Sequence, residues 1–89
     1  MHIVASPKPD KKWRAYFNDG SHTDFGAKGM DDYTITNDEE RKRLYLLRHK
    51  KNENWKDGKS AGALSRFILW NKPTIKASLQ DYKIRFPEL

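Results

Sequence analysis

The sequence predicts an α+β domain: an N-terminal β-hairpin packed on three α-helices, with residues 2–5 as the candidate for a third short strand. Three observations carry this. Residues 11–17, "KKWRAYF", alternate, with Trp13, Ala15 and Phe17 pointing one way and Arg14 and Tyr16 the other, which is the period of a half-buried strand. "NDGS" follows, and Asp-Gly is a strong hairpin turn because glycine accepts positive φ. From residue 37 onward, helix-start and helix-stop residues bracket three segments, at about 37–51, 60–70 and 73–86.

Taken in order, "HIVA" reads as a short strand that "SPKPD" ends, since two prolines remove backbone donors and fix φ. The hairpin spans about 11–27, its return strand "HTDFGA" placing Thr23 and Phe25 on one face. "KGMDDYTI" is irregular or briefly extended, with Tyr33 and Ile35 expected to anchor it to the core. In "TNDEERKRLYLLRHKKN", Thr36 with Glu39 fits a capping box and Asn37 competes as N-cap. Asp38, Glu39 and Glu40 in the first turn, and Arg48, His49, Lys50 and Lys51 in the last, complement the helix dipole.

"NENWKDGKS" reads as a loop pinned by Trp55. Ser60 is a suitable N-cap for a helix running to about Trp70. Leu64, Phe67 and Ile68 form one stripe of that helix, with Leu69 and Trp70 outside it, so it is expected to be apolar on most sides and central. Pro73 is placed to start the last helix, where its missing N–H costs nothing. There Ile75, Leu79, Tyr82 and Phe86 fall on a single face, and Pro87 ends the helix.

At 89 residues the chain reads as one small domain, 1–89, with a thin core built on three Trp, four Tyr and four Phe. It has no cysteine, which excludes disulfides and thiolate metal sites. With no such staples, and no apolar run suited to a signal peptide or a membrane span, the expectation is an intracellular or virion setting and no membrane partner.

Catalytic and cofactor patterns are missing. His2, His22 and His49 fall on separate elements without metal-ligand spacing, so no metal site is expected. Asp31 and Asp32 sit in a loop and Asp38–Glu40 serve a helix start, instead of converging as paired acids. "DGSHTD" places its Ser, His and Asp on alternating strand faces, and "DGKS" lacks the leading glycine and strand of a phosphate loop. These readings point to a protein that is not an enzyme, with no cofactor and no small-molecule substrate.

Charge is the remaining signal. The formal net charge is +6. Residues 1–40 hold five Lys/Arg against eight Asp/Glu, and residues 41–89 hold thirteen against four. Between 41 and 59 lie Arg41, Lys42, Arg43, Arg48, Lys50, Lys51, Lys56 and Lys59, opposed only by Glu53 and Asp57. Such cations suit repeated phosphate contacts. They spread all round the helix, however, as do Leu44, Tyr45, Leu46 and Leu47, so its midpoint is expected to pack on more than one side. An anion-binding face, extended by Arg14 and Tyr16, and a solvated, dipole-matched helix both fit this pattern. Trp13, Phe67 and Trp70 read as structural, as does Arg66, an arginine among apolar residues that needs a carboxylate partner, with Asp24, Asp31 and Asp32 as candidates.

"DFGAKGMDDYTI", "EERKRLYLLRHKKNENW" and "SAGALSRFILWNKPTIKASLQDY", in that order, resemble a family of small uncharacterised proteins encoded by large double-stranded DNA viruses of algae and amoebae (chlorella viruses and giant viruses). The resemblance covers about residues 12–86, and "LSRFILWNKPTI" is among its most specific parts. It implies a viral origin, and a location in the virion and inside the infected host cell. It brings no catalytic residues. The resulting expectation is a small basic virion-associated protein binding nucleic acid non-specifically. The alternative is a minor capsid or scaffold protein whose cations meet virion coat proteins.

Overall fold

The hairpin forms where the alternation places it. The computed structural model describes residues 1–51 and 54–89, so the first two residues of the expected 52–60 loop lie outside the described residues. Strands β1 (His2–Ala5), β2 (Lys11–Tyr16) and β3 (His22–Ala27) make one antiparallel sheet in the order β1-β2-β3. The register aligns Ile3 with Ala15 and Ala15 with Thr23, and Trp13 with both Ala5 and Phe25. Gly20 takes φ +87° in the turn, which the Asp-Gly pair allows.

The sheet buries one face. Ala15, Phe17 and Phe25 are buried there, with Ile3 and Trp13 packed beside them. The opposing layer is α3 (Ala61–Leu64), which continues into a π-helical turn at Ser65–Leu69. Its Leu64, Ile68 and Leu69 complete the core. Helix α4 (Ile75–Arg85) backs this segment and adds Tyr82, with Ile75 and Phe86 packed around it. The α+β architecture is therefore as the sequence predicts, and residues 2–5 do pair as the third strand.

Several local expectations give way. "KGMDDYTI" is not extended: Tyr33–Thr36 forms a short helix, α1, because the Asp32 side chain accepts the Thr34 N–H and starts a turn. Tyr33 is buried as expected, but Ile35 points to solvent at 61% exposure. Asn37 ends α1 in the left-handed region, φ 53°, so neither it nor Thr36 can cap the next helix. Asp38 caps α2 (Glu39–His49) instead, accepting from Glu40 and Arg41 N–H groups at 3.0 and 3.2 Å. Helix α2 is also not packed on several sides. It buries no residue, and Leu47 is 58% exposed, since the remaining elements cover each other first.

The Ser60 cap holds, its hydroxyl accepting from the Ala63 N–H at 3.1 Å. The helix behind it does not run to Trp70 in α geometry. Trp70 donates its backbone N–H to the Ser65 carbonyl, five residues back, at 3.1 Å. That wider turn brings Leu69, which falls outside the stripe of a regular helix, into the core at 3% exposure. Pro73 does not begin α4 either. Thr74 is the N-cap, accepting from the Ala77 N–H at 3.1 Å, and Pro73 precedes it.

Two hydrogen bonds fasten the loop before α3 to the body. The Thr23 hydroxyl donates to the Lys59 carbonyl at 2.7 Å, and the buried Tyr82 hydroxyl donates to the Gly58 carbonyl at 2.6 Å. Gly58 is confined: a Cβ there would lie 2.7 Å from Phe86 and Leu89 side-chain atoms. Burial pushes the Tyr82 hydroxyl well above its ordinary pKa, so it stays a neutral donor. On the outer sheet face, Arg14 grips Asp24 with Nε and Nη2 at 2.9 and 3.1 Å, and the Ser6 hydroxyl adds a bond at 2.7 Å.

Tyr82→Phe removes only the hydroxyl and leaves a buried carbonyl unpaired. It is expected to destabilise the fold by about 1–3 kcal/mol, read in urea unfolding; an unchanged midpoint would show that the bond adds nothing. Asp24 gives a pH test. The Arg14 guanidinium, and then the Ser6 hydroxyl, hold its carboxyl well below the ordinary range, against the opposing effect of burial. A lowered native pKa adds stability above the unfolded value of about 3.9, and that stability is lost as the pH falls towards the native one. The melting-temperature gap between the wild type and Asp24→Asn should therefore shrink on acidification from about pH 6 to pH 2. A constant gap would contradict this.

Candidate functional site

The eight cations of residues 41–59 divide into two sets. Four serve the fold or neighbouring carboxylates. Lys42, half-buried, donates to the Asn71 carbonyl at 2.7 Å and lies 4.7 Å over the Tyr33 ring. Arg43 pairs with Glu40 one turn back; this raises its own pKa and lowers that of Glu40. Lys59 pairs with Asp19 across the hairpin turn and lies 5.6 Å from the centre of the Phe17 ring. That pairing and the Ser21 hydroxyl hold the Asp19 carboxyl well below its ordinary range. Arg41 faces Asp31 at 3.4 Å, with both side chains about half exposed. Lys42 in particular is a structural tie, not the surface cation expected of it.

Arg48, Lys50, Lys51 and Lys56 form the other set. All are exposed, and none has a carboxylate within ion-pair distance among the described residues. Three of them stand at the C-terminal end of α2. Arg48, Lys50 and Lys51 come from the last turn of α2 and its exit, and Lys56 follows Trp55, which shares a shallow hollow with Leu46, Leu47 and Lys50.

Beside this end lies a cleft of about 710 Å³. Helix α2 is tied to the body along one line, where the Tyr45 and Trp70 rings stack at 4.4 Å and 6° and Lys42 meets Asn71. His49 continues the column, stacking on Tyr45 at 4.2 Å. Away from that line, and apart from the Arg41–Asp31 pair, the helix stands off from the end of β3 and the loop after it. Phe25 and Leu69 line the resulting space, Met30 and Leu44 flank it, and Lys11 and Arg48 bring charge to it. No sequence pattern marks this cleft, since it depends on the distance between a hairpin end and a helix. The apolar Met30 next to a charged loop is the nearest signal.

Arg66 does not pair with a carboxylate of the acidic half. Asp24 is taken by Arg14, Asp32 by Lys12 at 2.7 Å, and Asp31 by Arg41. The register puts Asp24 directly opposite Arg14, so position in the hairpin decides that pairing. Arg66 instead donates to the Trp70 carbonyl at 2.9 Å and packs on Phe67 and Trp55, 4.8 and 5.4 Å from their centres. Its Nε has no hydrogen-bond partner among the described residues. Burial, and then the nearby Arg85 charge, lower its pKa below the usual arginine value. Phe67 thus sits among Arg66, Arg85, Tyr82 and Phe86, while Trp70 braces α2 and Trp13 covers the sheet.

On the outer sheet face Arg14 is engaged with Asp24. Tyr16 stands between His2 and His22, its ring 5.2 and 5.7 Å from theirs. Among the described residues no three His, Cys, Asp or Glu converge to hold a metal, and no helix is long and apolar enough to cross a membrane.

No curated protein and no solved structure matches the chain. A family of unknown function, DUF5754, matches residues 1–49, which hold the sheet, α1 and α2. The match includes Arg41, Lys42, Arg43 and Arg48 and leaves out the "LSRFILWNKPTI" block. Spanning more than half of the residues, it shows that the chain belongs to this family of unknown function, DUF5754.

Proposed function

We propose that this protein binds nucleic acid without strong sequence preference, through phosphate contacts made by Arg48, Lys50, Lys51 and Lys56. The observation that carries the reading is the grouping of these four exposed cations, none with a carboxylate partner among the described residues. A surface pair neutralises a cation before a phosphate can, whereas unpaired lysines and arginines release condensed counterions on binding. The net charge of +6 favours the same class of partner. The resemblance to proteins of large DNA viruses adds a setting: a viral protein, carried in the virion with the genome and present in the infected host cell.

A second reading is a minor capsid or scaffold protein that meets virion coat proteins. It draws on the exposed apolar side chains Leu44, Leu47 and Ile84, with exposures of 39, 58 and 78%. Locating the protein in purified virions, with the genome or in the shell, separates the two.

Titration of DNA oligomers at two salt concentrations tests the first reading. Binding should weaken steeply with salt. Replacing Arg48, Lys50 and Lys51 together by Ala should make the log–log salt slope shallower by about 2 to 3, near 0.7–0.9 for each phosphate no longer neutralised. Absence of binding at about 50 mM salt would overturn the proposal. Lys42→Ala is the internal contrast: it should lower the melting temperature and leave the slope unchanged.

A further inference from the structure

The cleft beside α2 combines features that the four exposed cations alone do not explain. Its volume of about 710 Å³ lies within the range of sites that enclose a small organic group. Its lining is mixed, with apolar side chains between charged ones. Phe25 and Leu69 are buried in the core beneath it, and Met30 and Leu44 leave 64 and 39% of their surface exposed beside it. The aromatic pair Tyr45 and Trp70 lines it as well.

Its charges are unbalanced. Lys12 is matched by Asp32 and Arg41 by Asp31, which cancels two cations against two carboxylates. Lys11 and Arg48 also line the cleft, and neither has a carboxylate partner among the described residues. The surplus is two positive charges beside an apolar, aromatic-lined space. That pairing suits a flat ring attached to a phosphate, the chemistry of a nucleotide. A base within a duplex hides both faces in the stack, and only an unpaired base can present them.

We propose that this cleft takes one unpaired nucleotide, so that the protein prefers single strands to duplex; this rests on the nucleic-acid reading above. The base packs between Leu44 and Met30 and meets the edges of the Tyr45 and Trp70 rings, which are stacked on each other, while Arg48 and Lys11 meet the flanking phosphates. A free nucleoside monophosphate has the same chemistry, but it lacks the neighbouring phosphates that Lys50, Lys51 and Lys56 contact along a strand.

The test is a binding titration of the full chain with three probes: a single-stranded 20-nucleotide DNA, the matching duplex and a nucleoside monophosphate. The strand should bind about tenfold tighter than the duplex, as burial of one base against apolar side chains provides. Leu44→Asn, which changes no charge, should bring strand affinity down towards the duplex value and leave duplex affinity unchanged. Met30→Asn, on the opposite wall, should do the same and serves if the helix variant fails to fold. Equal affinity for strand and duplex, or variants that leave the preference intact, would overturn this inference while the nucleic-acid reading stands. A monophosphate that binds as tightly as the strand would overturn it in favour of a small-molecule site. Absence of binding to both strand and duplex would overturn both proposals.

Discussion

Trp70 reaches back five residues to the Ser65 carbonyl, and this single wide turn joins the core to the candidate site. A regular α-helix would leave Leu69 off the stripe made by Leu64 and Ile68. The extra residue in the turn swings Leu69 inward, where burying such a side chain stabilises the fold by about 1.5–3 kcal/mol. It also sends the next residue, Trp70, outward to stack on Tyr45. An aromatic pair of this kind contributes about 0.5–1.5 kcal/mol beyond its buried area. The Trp70 carbonyl, left over where the helix ends, accepts from Arg66. A half-buried guanidinium with no carboxylate in ion-pair distance among the described residues is thus tolerated because it closes the helix end and packs on Phe67 and Trp55.

The same turn explains why α2 is held so lightly. Its start is gripped by Tyr33, which donates to Glu39 and lies beneath Lys42. Its middle is held by the Tyr45–Trp70 stack and the bond from Lys42 to Asn71. No side chain of the helix is fully buried. A helix fixed along one line leaves space on its other side, and that space is the cleft. The cations divide along the same geometry. Those near a fixed carboxylate or carbonyl hold the fold, and those past the last anchored turn face solvent.

The strands were legible because each satisfies a local rule. Alternation at 13, 15 and 17 fixes the buried face, and Asp19-Gly20 fixes the turn and with it the register. The face of α4 was legible because Ile75, Leu79, Tyr82 and Phe86 follow the helical period without interruption. The wide turn was not, since a wheel drawn at 3.6 residues per turn carries the error forward from Ser65. Helix α2 misled for another reason. Four consecutive apolar residues, Leu44 to Leu47, suggest packing on more than one side, but the sheet and the other helices cover each other first. The partner of Arg66 is not legible because ion pairing is competitive: Asp24 stands opposite Arg14 in the hairpin, and proximity in the register outweighs the need of a distant arginine. The exposed cations at 48, 50, 51 and 56 were legible only as members of a larger group. Separating them from Lys42, Arg43 and Lys59 requires distances across the fold.

The claim that Trp70 fastens α2 to the body is tested most directly by amide hydrogen exchange on Trp70→Leu, which keeps an apolar side chain and removes the ring stack. Amides of residues 43–49 should exchange about tenfold faster, the equivalent of roughly 1.4 kcal/mol, while those of β2 and β3 keep their protection. Unchanged protection across α2, or an equal loss in helix and sheet, would contradict the claim.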